Sequence, residues 1–222
     1  MRMFAAATTL FVSLFLVGAS DSATVRLLTV DGPISPAMAG YLLSGLKTGD
    51  QEGDRLILIE IDTPGGLDSS MREIIKGILA SKVPVVVYVA PAGGRAASAG
   101  ALITLAADLS AMAPGTTIGA AHPVPIGRDL DKIMGEKVLN DAAAYAEGLA
   151  KQRGRNTDLA RRMVTKSLSM PAERALADHM VDLIAVDRQE LLHRLNGRTL
   201  LHGGKQVTLQ LSGARVISQE MG

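Results

Sequence analysis

Beyond residue 24 the apolar positions fall into short continuous runs separated by stretches at helical spacing. Val25-Arg-Leu-Leu-Thr-Val30 predicts a first strand, closed by Asp31-Gly32-Pro33, and Ser35-Pro36 carries the cap-and-proline start of a helix running towards Lys47. The polar, glycine-bearing residues 48–54 predict a loop. Arg55-Leu-Ile-Leu-Ile-Glu-Ile61 and Val85-Val-Val-Tyr-Val89 are nearly unbroken apolar runs rich in branched residues, the pattern of strands buried on both faces. Between them Met71, Ile74, Ile75, Ile78 and Leu79 mark one helix face within residues 69–80. Residues 96–107 are small and apolar, which predicts a tightly packed buried helix, and residues 109–112 a short strand before the Pro114-Gly115 turn. Residues 115–135 read as a long loop, which in a compact domain usually serves function. Helices are expected over 136–153 and 157–164, with Gly154-Arg-Asn156 between them, and a short one after Pro171. A strand over 183–186 and a last helix over 189–195 complete the pattern. Residues 199–222 alternate only weakly and predict a hairpin or connector.

This alternation of strand and helix predicts an α/β domain with a mostly parallel sheet, without choosing among α/β topologies. The 222 residues suffice for one such core, spanning residues 24–198. Before it, a basic Met1-Arg2, an apolar run from Leu10 to Gly18 and small residues near Ala19 and Ala23 give residues 1–23 the character of a secretory leader. A retained membrane anchor is the alternative reading of the same run. Export across the inner membrane, to a periplasmic or other extracytoplasmic place, is the expectation. Lys plus Arg (23) and Asp plus Glu (22) nearly cancel and are scattered, so nucleic acid is not an expected partner. There is no cysteine, so any nucleophile is an oxygen or an amine. The four histidines show no HExxH-like spacing and no phosphate-binding glycine signature occurs, so neither metal nor cofactor is implied.

Chemistry concentrates in two loops that each follow a buried strand, the place where ligands gather in open α/β sheets. Asp62-Thr-Pro-Gly-Gly66 sets two glycines where backbone amides can approach a carbonyl; Gly93-Gly-Arg-Ala-Ala-Ser-Ala-Gly100 sets Ser98 among tiny residues at a loop-to-helix junction. Acyl transfer needs a nucleophile, a base, and N–H groups aimed at the developing oxyanion. Ser98 is the candidate nucleophile and the amides of Gly66 and Ala99 the candidate oxyanion hole.

These two loops, followed by Met112-Ala-Pro-Gly-Thr-Thr-Ile-Gly-Ala-Ala121 and Ala175-Leu-Ala-Asp-His-Met-Val-Asp182, resemble the Clp protease and signal peptide peptidase superfamily. The likeness is greatest to the protease domain of the NfeD family, membrane-associated serine proteases encoded beside stomatin-like proteins. The resemblance implies a Clp protease/crotonase-like fold, built of ββα units in a right-handed superhelix. It implies a peptide laid as an added strand in a groove formed by Gly65, Gly94 and His122. It also implies a hydrophobic segment of a stomatin-like membrane protein as substrate, and assembly to a dimer or larger homo-oligomer.

The resemblance leaves three candidates for the base. Clp proteases use a Ser-His-Asp triad, and His122 falls near their histidine, yet Thr165-Lys-Ser-Leu-Ser169 stands where their aspartate is expected. NfeD-like proteases instead resemble Ser-Lys dyad enzymes, and Lys137 matches their lysine, ahead of Gly154-Arg155-Asn156; Lys132 is the nearby alternative. A lysine acts as base only when neutral, and Val138, Leu139 and the alanines at 142–144 are expected to bury it. Asp62 is expected to shape its own loop, and Asp178 and Asp182 to be turn and surface positions. Two rival functions fit the same motifs: an acyl-CoA hydratase or isomerase, which uses a similar two-amide hole, and a non-cleaving scaffold for a stomatin-like partner.

Overall fold

The computed structural model describes residues 23–124 and 131–221, so residues 1–22 of the expected leader lie outside the described residues. The first three strands are β1 (Thr24–Asp31), β2 (Leu56–Asp62) and β3 (Val85–Val89), separated by helices α1 (Pro36–Glu52) and α2 (Asp68–Ala80). A short β4 (Arg95–Ala97) leads into α3 (Ala99–Ala106), and β5 (Leu109–Met112) is followed by another short strand, β6 (Thr117–Gly119). Next come α4 (Lys132–Gln152), α5 (Thr157–Thr165), β7 (Ser169–Pro171), α6 (Ala172–Ala177), β8 (Leu183–Ile184) and α7 (Arg188–Leu195). The chain closes with β9 (Thr199–His202), β10 (Lys205–Thr208) and β11 (Arg215–Ser218).

The main sheet has the order β11-β1-β2-β3-β5-β8 and every pairing in it is parallel. From β1 to β8 each new strand joins the same edge, so the order never reverses as it does at a doubly wound switch point. The continuous apolar runs are explained by two covered faces. Ile57, Ile59, Ile61, Val85, Val87 and Val89 pack with α1, α2 and α3. The alternate residues Leu56, Leu58, Val86 and Tyr88 pack with α7, Leu200 and Leu209. Each fully buried side chain of this size contributes about 1.5–3 kcal/mol, so the sheet is held from both sides.

A second, smaller sheet (β4-β6-β7) lies beyond the carboxyl ends of the first. The isolated bridges Ile34 to Gly66 and Thr63 to Ala96 extend its pattern to the earlier turns of the fold. Each of the first four turns therefore runs from a main-sheet strand, through a short paired segment, into a helix. This is the ββα repeat, and crossovers of this kind are right-handed.

Three boundaries differ from expectation. Residues 48–52 continue α1, because Gly49 packs on Ile57 while the polar residues face outward, and the helix stops at Gly53 in the left-handed conformation (φ 69). Residues 95–97 are strand rather than helix: Thr63 N–H donates to Arg95 O at 2.7 Å and Ala97 N–H to Thr63 O at 3.1 Å. The expected long loop contains β6, and α4 begins at Lys132, capped by the Asp131 carboxylate, which accepts from Met134 N at 2.8 Å. The C-terminal segment forms the antiparallel hairpin β9–β10 and then returns as β11 beside β1. Tyr41 secures that return: its hydroxyl accepts from Thr29 N (3.0 Å) and donates to Gln219 O (2.8 Å).

Candidate active site

Ser98 stands between β4 and α3 with φ 52 and ψ −116, a conformation that costs a residue bearing a Cβ about 1–3 kcal/mol. Bonds on both sides enforce it. Ser98 N–H donates to Gly119 O at 3.0 Å, and Ala101 N–H donates to Ser98 O at 3.0 Å. Its side chain does not cap α3, and Oγ has no hydrogen-bond partner among the described residues. The hydroxyl is left for another use.

The double glycine is needed by contact as well as by turn geometry. A Cβ on Gly65 (φ 109) would lie 2.5 Å from Ser98 Cβ and 3.1 Å from its Oγ. A Cβ on Gly66 would lie 2.2 Å from Ile34 O. Ile34 bridges Gly66 through bonds to Gly65 O (2.8 Å) and from Leu67 N (2.9 Å), so the N–H of Gly66 itself points away from Ile34. Neither this N–H nor that of Ala99 has an acceptor among the described residues, as expected for Ala99 in the first turn of a helix. Gly100 lets α3 close on the end of β2, since a Cβ there would meet Thr63 Cγ2 at 2.4 Å. At the other end of α3, Arg153 and Arg155 donate to the carbonyls of Leu105, Ala106 and Ala107, fixing the helix that carries Ser98.

A cavity of about 500 Å³ opens over these groups, lined by Gly66, Ser98, Ala99, Leu102, Met71 and Lys137 among others. Lys132 does not line this cavity; it lies with Ile133 and Met134 in a neighbouring groove that Lys137 also borders. The expected burial of Lys137 is not met: the residue is exposed, Val138 is 37% exposed, and the first buried residue of α4 is Ala143. The reason is that the leading turns of α4 project past the core and overhang the cavity.

The other expected groove residues lie off the cavity wall. Gly65 backs Ser98 from below. Gly94 is packed against Pro91 O and the Asp62 carboxyl group. His122 is turned away, its Nδ1 hydrogen-bonded at 3.0 Å to Val164 O. Asp62 accepts from Arg95 N at 2.9 Å, thereby joining the two glycine-bearing loops rather than shaping one. Asp182 is no mere surface position, since it takes Ser110 N (2.7 Å) and the buried Arg155 (2.9 Å). Burial pushes the pKa of Arg155 below the usual arginine value, and Asp182 works against that shift.

The pattern reading missed the polar wall of the cavity, formed by Asp68, Arg72 and Asp141. Arg72 Nε donates to Asp68 at 2.8 Å, its Nη2 donates to Asp141, and it lies 4.5 Å over the centroid of the Tyr145 ring. Burial opposes the charge on Arg72, but bonds to the two carboxylates more than offset it and raise its pKa above the usual value. The i,i+4 spacing of Asp68 and Arg72 was the one sequence signal for this cluster.

A parallel sheet that grows at one edge, with a serine elbow facing a double-glycine turn across a second small sheet, defines the class of Clp protease/crotonase-like α/β domains. Solved structures agree. With 34% identity, a TM-score of 0.82 and coverage of 90% of this chain and 93% of the other, the chain is similar to the 1510-N membrane-bound stomatin-specific protease. That structure is a lysine-to-alanine variant in complex with a substrate peptide. A serine-to-alanine variant of the same protease matches with a TM-score of 0.83 at 34% identity, over 90% of this chain and 98% of the other. The chain belongs to the family of the NfeD1b N-terminal domain, whose model matches residues 24–193. It is 41% identical over 172 residues to the membrane-bound protease PH1510 of Pyrococcus horikoshii, covering 75% of this chain and 39% of that protein. It is 39% identical over 103 residues to the membrane protein NfeD1b of Bacillus subtilis, covering 46% of this chain and 23% of that protein. The chain thus spans well under half the length of either relative. No helix among the described residues is long and apolar enough to cross a membrane.

Proposed function

We propose that this chain is an exported serine endopeptidase that cuts hydrophobic peptide segments by a Ser-Lys dyad. Its substrate and partner on this reading is a stomatin-like membrane protein, and it works at the membrane as a dimer or larger homo-oligomer. One observation carries the proposal: a serine whose hydroxyl is unengaged among the described residues shares one cavity with a lysine and with two backbone N–H groups that have no acceptor among them.

The chemistry follows from those groups. Neutral Lys137 Nζ takes the proton of Ser98 Oγ as the oxygen attacks the peptide carbonyl carbon, and the N–H groups of Gly66 and Ala99 receive the oxyanion. The intermediate collapses, the C–N bond breaks, and Lys137 returns the proton to the leaving amine. Water, with Lys137 again as base, then releases the acyl group from Ser98. Lys137 is exposed at the cavity, so on this reading a peptide laid over the cavity covers it.

The relatives support the same reading. The 1510-N protease is described as specific for a stomatin homolog, its peptide complex was obtained with a lysine replaced, and a serine is replaced in the second structure. Those are the two residue types that meet in this cavity. An apolar substrate fits the walls supplied by Met71 and Leu102 and the exposed Val124 and Val138. Against His122 as base stands its bond to a backbone carbonyl, with no carboxylate partner on the ring among the described residues. The test is mass spectrometry of peptides incubated with wild type and with Ser98→Ala. Cleavage between apolar residues by wild type alone is expected; identical fragments from both proteins would end the proposal.

A further inference from the structure

Lys137, Asp141 and Tyr145 follow one another at four-residue spacing on α4 and so form one stripe of that helix. Arg72, reaching across from α2, engages the two residues behind the lysine, Asp141 by hydrogen bond and Tyr145 by its ring face. The two contacts straddle Ala143, the first buried residue of α4, where the helix leaves the core. Because α2 starts immediately after the turn carrying Gly66, Arg72 joins the amide side of the cavity to the lysine side.

Charge gives this contact a second consequence. A carboxylate one turn from a lysine is a ready ion-pair partner, and an ammonium so paired gives up its proton less easily. Asp141 makes no ion pair with Lys137 among the described residues; its recorded partner is Arg72. Among the described residues, the charged groups lining this point are Asp68 and Arg72 from α2, and Asp131, Lys132 and Asp141 on or capping α4; α3 adds no charge, and the serine that precedes it only a hydroxyl.

We propose that Arg72 is a positioning residue for the dyad: it occupies Asp141, keeping that carboxylate off Lys137, and pins the α4 overhang that holds the lysine above Ser98. This rests on Lys137 being the general base. The test is the pH dependence of kcat for peptide cleavage by wild type, Arg72→Gln, Asp141→Asn, the double variant and Lys137→Ala. In Arg72→Gln the acid limb moves up by about half to one pH unit, so kcat near neutrality falls about three- to tenfold while KM changes less. In Asp141→Asn the limb does not move up, and in the double variant it returns to the wild-type position. Arg72→Lys, which keeps a cation facing Asp141, gives a limb between wild type and Arg72→Gln and serves if the glutamine variant fails to fold. An unmoved limb in Arg72→Gln, or no return in the double variant, overturns the inference. If Lys137→Ala is inactive in the same assay, only the role of Arg72 has fallen; if Lys137→Ala cleaves like wild type, the base assignment and this inference fall together.

Discussion

At the scale of the residue, Ser98 depends on what Gly65 lacks. A methyl group there would lie 2.5 Å from Ser98 Cβ, and Gly65 holds a φ of 109 that residues with a Cβ rarely adopt. Gly65→Ala is therefore expected to lower kcat/KM by about a hundredfold or more, because a shift of about 1 Å in a reacting group costs this much. Steady-state kinetics beside a thermal melt checks it, and wild-type turnover in the variant would contradict the contact. The serine and the double glycine stood out because each lies among very small residues in a loop that follows a buried apolar strand, and small residues at that place leave backbone exposed. That His122 lies off the cavity wall was not legible, since sequence order cannot tell which way a loop side chain turns. His122 follows Ala120 (φ 50), and Ala121 N–H is tied to Met163 O at 2.8 Å, which sets the ring against α5 instead of the cavity. Arg72 was missed because its partners Asp141 and Tyr145 lie about seventy residues away on another helix.

At the scale of the element, α3 is short and apolar, and its position is set from its ends. Arg155 is 6% exposed and satisfies two carbonyls at the end of α3, Leu105 O and Ala107 O, together with Ser110 and Asp182. Removing it leaves two carbonyls without their side-chain donor and Asp182 without its ion-pair partner. Arg155→Ala is expected to cost about 3 kcal/mol in a urea titration, and a loss below about 0.5 kcal/mol, the range of ordinary surface changes, would contradict it. Helix α2 and strands β2 and β3 were plain from apolar spacing, because each buries a whole face or both faces. The short strands β4, β6 and β7 were not, because three residues carry no period and their pairing is set by distant partners such as Thr63. The polar end of α1 was hidden for a related reason: only Gly49 there touches the core.

At the scale of the whole molecule, parallel architecture followed from strands buried on both faces, whereas the edge-growing order did not, since alternation of strand and helix is common to several α/β topologies. The superhelical order could be named in advance only through the resemblance of four motifs to a known family. That order has a functional consequence. It brings the second ββα turn, with Gly66, and the third, with Ser98, into adjacent positions, and lays the fourth, with Lys137, across both. The proposed acyl-transfer site thus needs three successive turns to be stacked. The most direct measurement is the intact mass of the protein during reaction with a fluorophosphonate, followed by peptide mapping. Wild type is expected to gain one adduct, on Ser98; Ser98→Ala to gain none; and Lys137→Ala to label at least about a hundredfold more slowly. An adduct on any other residue, or equal labelling rates for wild type and Lys137→Ala, would contradict the dyad.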